Sequence, residues 1–278
     1  MHRFDFAAML LSPATWFVFA FGSLFGSFFN VCIYRIPRGI FWKKSRSHCP
    51  ACDAPIPSWH NIPILSWLFL RGKAACCGSK ISVQYPLVEL GTALLWVVIY
   101  WSYPFLMQLD GSLVYDNNEL LRFAHALVFC SVLLICSVID LEHQIIPDVL
   151  SLPMIALAPL VAWFHPELNL KSSLIGVAMG GGIFYAIAWI YFLVRKQYGL
   201  GLGDVKLLAA IGGWLGYQSV ITTMLWASVF GSLVGISAIL ITRKKDLQLK
   251  IPFGPFLSGA SVTYLLFGRY FGDYLFPF

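Results

Sequence analysis

Between Phe6 and Tyr34 the chain runs for 29 residues without a charged side chain, and six more uncharged runs follow. They are Leu90 to Leu109, Phe123 to Ile139, Val149 to Phe164, Ser172 to Val194, Leu207 to Thr242 and Pro252 to Gly268. About 20 consecutive apolar residues in a helix suffice to cross the hydrocarbon core of a bilayer, so each run reads as a span. The run from Leu207 is 36 residues long, enough for two short spans broken around Gly212, Gly213, Gly216 and Gln218. Composition points the same way, since 59% of the 278 residues are hydrophobic and only 12% charged, too few for a soluble globular chain. The expectation is an all-α membrane protein of about eight transmembrane helices.

The first run exceeds the apolar core of a secretory signal and no small-residue cleavage site follows, so it reads as a retained span. Orientation follows from the basic residues between spans. With the amino terminus outside, fifteen of the nineteen fall inside: Arg35, Arg38, Lys43, Lys44, Arg46, Arg71, Lys73, Lys80, Arg195, Lys196, Lys206, Arg243, Lys244, Lys245 and Lys250. Arg3, Arg122, Lys171 and Arg269 fall outside. The net charge of +6 is thus an orientation signal, and no nucleic-acid partner is expected. Ala54 to Leu70 is also uncharged, but Pro55, Pro57 and Pro63 argue against a continuous helix. A loop at the membrane surface is expected there, anchored by Trp59, Trp67 and Phe69 in contact with lipid.

Three parts result: a first helix (1–34), a cytoplasmic cysteine-containing insert (35–85) and a bundle of seven spans (86–278). Glycines four apart, at Gly22 and Gly26, Gly176 and Gly180, Gly212 and Gly216, and Gly231 and Gly235, let helix backbones approach, and read mainly as bundle packing.

Two acidic residues stand apart. Asp140 closes the run containing "VLLICSVID", and Asp204 sits in "GLGD" just before the run from Leu207. On the orientation above, both lie near the cytoplasmic face. A carboxylate inside a bundle is costly and normally faces a cavity, a partner or a pathway. Two that share a cavity do not both ionise readily, which leaves one proton between them, as in the dyad of aspartic proteases. The plainer alternative makes Asp204 a helix cap and Lys206 a snorkelling cation. Asp148, after Pro147, reads as a cap of the fourth span, while Glu142 and His143 read as solvated.

Seven cysteines occur. Cys32, Cys130 and Cys136 lie in or at apolar spans and read as small buried thiols. In the insert, Cys49 and Cys52 have the Cys-x-x-Cys spacing of a zinc knuckle, followed by Cys76 and Cys77.

"GLGD" with an upstream "IDLEHQIIPD" resembles the bacterial type IV prepilin peptidases, which are intramembrane aspartic proteases of the GxGD type. Further blocks extend the resemblance over nearly the whole chain: "GSFFNVCIYRIPRG", "CPAC", "NIPILSWLFLRGK", "YPLVEL", "GLGDVKLLAAIGGWLG" and "IPFGPFLSGA". It implies that Asp140 and Asp204 are catalytic. It further implies cleavage of the basic leader of type IV prepilins or type II secretion pseudopilins, at the cytoplasmic side of the bacterial inner membrane. Methylation of the new amino terminus with S-adenosylmethionine is implied as well, by resemblance only, for no glycine-rich nucleotide loop signals that cofactor. The family pattern leads one to expect a second Cys-x-x-Cys opening "GKC", yet the chain reads "GKAACCG", with Ala74 where a ligand belongs. Zinc held by Cys49, Cys52, Cys76 and Cys77 is the expectation, with His48 or His60 able to complete three thiolates and a metal-free loop as the alternative. Two other readings compete: a peptidase-only relative without methylation, and a proton- or cation-coupled transporter using the same aspartates.

Overall fold

The computed structural model describes residues 6–41, 48–49, 51–109, 112–196, 201–242 and 251–275. Arg3, Lys43, Lys44, Arg46, Arg243, Lys244, Lys245 and Lys250, counted above for orientation, lie outside the described residues.

The protein is built of helices: α1 (Phe6–Leu11), α2 (Pro13–Arg35), α3 (Leu65–Phe69), α4 (Gln84–Ser102), α5 (Asn117–His143), α6 (Asp148–Phe164), α7 (Leu170–Arg195), α8 (Leu202–Leu215), α9 (Tyr217–Thr242) and α10 (Gly254–Leu275). Five of them, α2, α4, α5, α7 and α9, are long and apolar enough to cross a membrane, while the apolar α6 is shorter at 17 residues. The long run from Leu207 does break in two: Gly216, at φ 86, ends α8, and α9 starts at the next residue. A side chain is disfavoured at that φ, and glycine is not.

Leu90 to Leu109 does not form one span. Pro104 disfavours helical geometry at the residue before it, and Tyr103 has left the helical region at φ −133 and ψ 69, so α4 ends at Ser102. The chain continues into a small antiparallel hairpin of β1 (Leu106–Leu109) and β2 (Ser112–Tyr115), which the hydropathy pattern had hidden.

The chain forms two compact units, Met1–Phe123 and Ala124–Phe278. In the first, α2 packs on α4 with backbones close: a Cβ on Gly26 would lie 2.7 Å from Glu89 Cα, and one on Gly22 would lie 2.9 Å from Ala93 Cα. Ala54 to Leu70 forms only a short 3-10 turn, Ser58–Asn61, and the five-residue α3, so no helix spans there. Trp59 and Phe69 are exposed, as surface anchors should be. Trp67 instead packs within the insert, donating its indole N–H to the Ile81 carbonyl at 3.2 Å and covering Gly72.

Glu89 ties this insert down. It is buried in α4, and its Oε2 accepts the N–H of Ile64 at 2.7 Å. Ile64 has φ 64, a conformation rare for a β-branched residue and held only where its surroundings impose it. Removing that acceptor strands a backbone donor, which costs about 1–3 kcal/mol. Glu89→Ala should therefore open the insert to limited proteolysis faster than Glu89→Gln, whose amide oxygen still accepts. Equal cleavage of the two variants would disprove the role of this bond.

In the second unit α8 lies among α6, α7 and α9, and α10 packs on α9. Residues Val205 and Leu207 to Trp214 of α8 are all buried. At Gly176 and Gly212 the α7 and α8 backbones touch, and an added Cβ on either would strike the carbonyl of the other. Gly231 and Gly235 pack differently, with the Gly231 position in ordinary contact with Phe253 and that of Gly235 facing Ile251.

Candidate active site and thiol cluster

The buried face of α5 repeats at helical spacing through Ala126, Phe129, Cys130, Leu133, Cys136, Ile139 and Asp140. The helix thus carries Asp140 inward on the same stripe as its apolar core residues, leaving the residue only 5% exposed. Asp140 Oδ2 accepts the backbone N–H of Gly254 at 2.9 Å.

Asp204 enters from α8. The N-cap of that helix is Gly201, in an extended conformation with no side-chain cap, and Asp204 sits in the first turn with its N–H donating to the Gly201 carbonyl at 3.1 Å. It is not the cap of the helix. Its carboxyl lies against Gly201, where a Cβ would come within 3.2 Å of Oδ2, and within electrostatic reach of Asp140. The two aspartates singled out in the sequence are thus brought to one end of the same bundle.

Asp148 behaves differently from the cap expected of it. It is the first residue of α6, Pro147 holds the N-cap position, and no side-chain cap forms. Its Oδ1 instead meets Lys206 Nζ at 2.6 Å, joining α6 to α8 two residues beyond Asp204. Lys206 is accordingly an ion-pair partner rather than a free snorkelling cation. Glu142 and His143 are exposed and 3.6 Å apart. Nothing in the local pattern of Gly254 announces its contact with a residue 114 positions away.

In the insert, two short loops face each other. One is closed by the bridge of His48 with Pro55, the other by that of Lys73 with Lys80. Cys49 N–H donates to Ala54 O at 2.9 Å, and Ala74 N–H donates to Ser79 O at 2.8 Å, so Ala74 occupies in the second loop the place of Cys49 in the first. Cys76 makes good the missing thiol. The Sγ atoms of Cys49, Cys52, Cys76 and Cys77 all lie within 4.8 Å of one another. Neighbouring pairs are 3.3 Å (Cys52 and Cys76), 3.7 Å (Cys49 and Cys77) and 3.9 Å (Cys76 and Cys77) apart. Four sulfurs placed tetrahedrally about 2.3 Å from one zinc are about 3.8 Å apart, so the donor set fits that ion, adjacent cysteines included. Neither His48 nor His60 belongs to the group.

Backbone N–H groups of Ala51 and then Cys52 pull the Cys49 thiol down to about 6. The bond between Cys76 and Cys52 is the main cause that pushes the Cys76 thiol up to about 12. A ligand set in which one thiol is already ionised near neutral pH, and the rest release protons on binding, is suited to a divalent ion. Cys32, Cys130 and Cys136 are buried free thiols, as expected.

The fold and the paired carboxylates define a polytopic helical membrane protein with two aspartates gathered at one end of a bundle. Residues 20–103 match the bacterial peptidase A24 N-terminal domain, and residues 127–236 match the type IV leader peptidase family. The chain is 36% identical to a prepilin leader peptidase/N-methyltransferase of Stutzerimonas stutzeri, over 89% of this chain and 88% of that one. Proteins of the same description are 34% identical in Pseudomonas putida, over 94% of this chain and 93% of the relative, and 36% identical in Aeromonas hydrophila, over 90% of each. No solved structure matches the chain. The chain belongs to the bacterial prepilin leader peptidase/N-methyltransferase family.

Proposed function

We propose that the protein is an inner-membrane aspartic endopeptidase that removes the leader of prepilin-type substrates and then methylates the new amino terminus. The observation that carries this reading is the convergence of Asp140 and Asp204 at one end of the bundle in a chain of this family. One carboxylate acts as base on a water molecule while the other, protonated, donates to the departing amine nitrogen, so a single proton between them serves both roles. The transporter reading is not favoured, because the relatives are described as peptidases. Type IV prepilins and type II secretion pseudopilins are the substrates we assign.

We place the dyad near the cytoplasmic face, because Arg195, Lys196 and Lys206 lie at the same end of the second unit as Asp140 and Asp204, and basic residues favour that side. The outward faces of α7 and α9 meet lipid, and we assign no nucleic-acid partner. Cleavage belongs in our reading to the bundle (86–278), preceded by the first helix (1–34), and the insert (35–85) is associated with methylation. S-adenosylmethionine is the methyl donor of that second activity.

We assign one zinc ion to Cys49, Cys52, Cys76 and Cys77, where it would lock the two loops of the insert together. Elemental analysis of protein purified in detergent should find about one zinc per chain, and Cys77→Ser should lose most of it. A zinc-free wild type would rule the assignment out. The function as a whole is tested by incubating purified enzyme with a prepilin, with and without S-adenosylmethionine, and weighing the products. A shortened pilin is expected in both cases, and a further gain of one methyl group only with the donor present. An uncleaved pilin refutes the peptidase, and a cleaved but unmethylated one refutes the second activity.

A further inference from the structure

Among the described residues, the Asp140 carboxyl accepts one hydrogen bond, and its donor is the first amide of α10. The segment "IPFGPF" offers few free amides at this point. Pro255 next to it and Pro252 two residues before it have no N–H to offer, and the N–H groups of Phe256 and Leu257 are taken up by the Phe253 carbonyl. Gly254 N–H is thus left over at the start of a helix, where an unpaired amide and the helix dipole both favour an anionic acceptor. The space is as specific as the bond. A Cβ at residue 254 would lie 2.7 Å from Asp140 Oδ2, 3.2 Å from its Cγ and 3.4 Å from its Cβ, so only glycine lets the amide come this near.

We propose that Gly254 is a positioning residue for leader cleavage: its amide holds Asp140 Oδ2 and thereby leaves Oδ1 as the oxygen that exchanges a proton during the reaction. The inference rests on Asp140 being catalytic. A carboxylate free to rotate would present either oxygen at varying angles. One pinned at Oδ2 presents Oδ1 in a single orientation, which is the requirement for efficient proton transfer.

Two variants separate the bond from the space. Gly254→Ala adds the Cβ, whereas glycolic acid incorporated at residue 254 replaces only the N–H with an ester oxygen. Both should lower kcat for prepilin cleavage on the order of 10- to 100-fold, as expected for loss of a hydrogen bond to a charged group. KM should stay within about twofold, because bulk substrate binding is untouched. Methyl transfer to an already shortened pilin peptide should also stay near wild type, which a general loss of fold would not allow. Wild-type kcat in the ester variant, or equal loss of methyl transfer in both variants, would overturn the proposal. Asp140→Asn is run alongside: if it cleaves normally the dyad reading itself fails, and if it is dead while both Gly254 variants are active, only the positioning role fails.

Discussion

Replacing either Asp140 or Asp204 by asparagine is expected to abolish leader cleavage while the protein still folds and inserts. Asparagine keeps the shape of the side chain, and the Asp140→Asn oxygen can still accept from Gly254 N–H. What it removes is the exchangeable proton. General acid and base roles contribute about 10²- to 10⁴-fold each, so either single change should take cleavage below detection in a gel assay. The pair acts as a unit, and the double variant should be no worse than either single one. Asp148→Asn is the control. It weakens a half-exposed ion pair with Lys206, worth at most about 1 kcal/mol, and should leave cleavage within a few-fold of wild type. An inactive Asp148→Asn beside an active Asp140→Asn would mean that the pair has been misassigned.

The second large effect concerns packing. Gly176→Val should destroy the folded bundle, because a Cβ there runs into the Gly212 carbonyl, and backbone against backbone has no rotamer to retreat to. Overpacking a core costs about 1–3 kcal/mol where side chains can shift, and more where they cannot. Gly212→Val should fail in the same way from the other side of the contact. Gly182→Ala, six residues along α7 with nothing within 4 Å of its added methyl, should be neutral or slightly stabilising. Thermal unfolding in detergent, followed by protease resistance, measures all three. A Gly176→Val protein that unfolded at the wild-type temperature would show that α7 and α8 do not meet this closely.

Much of this was legible in the sequence, and the parts that were not have a common cause. Uncharged runs marked the five helices long and apolar enough to cross a membrane, because a charge is costly to desolvate in lipid, and the glycines around residue 216 marked the break between α8 and α9 for a local reason, backbone freedom. Asp140 could be placed inward because it continues the stripe through Phe129, Leu133 and Cys136. What escaped depends on chain segments far apart. Asp148 reads locally as a cap, and only the approach of α8 offers it Lys206. Nothing around Ile64 forecasts a positive φ sustained by Glu89, 25 residues on. Cys76 beside Cys77 looks like an interrupted motif, and only the facing loop shows that its sulfur fills the gap left by Ala74.

The brevity of α8 bears on how the enzyme is made. Its 14 residues extend about 21 Å, well short of the roughly 30 Å of a bilayer's apolar core. Gly216 lies against Ser172 at the start of α7, so α8 reaches along only the first part of that 26-residue neighbour. Such a segment is a poor candidate for release into lipid by itself as it leaves the insertion machinery. It must wait for α7 and α9, so Asp204 reaches its place only when its neighbours have assembled. A chain ended at Gly216 should accordingly leave α8 unintegrated, detectable by labelling a cysteine placed at residue 210, where Ala210 is buried, and one extended through α9 should protect the same position.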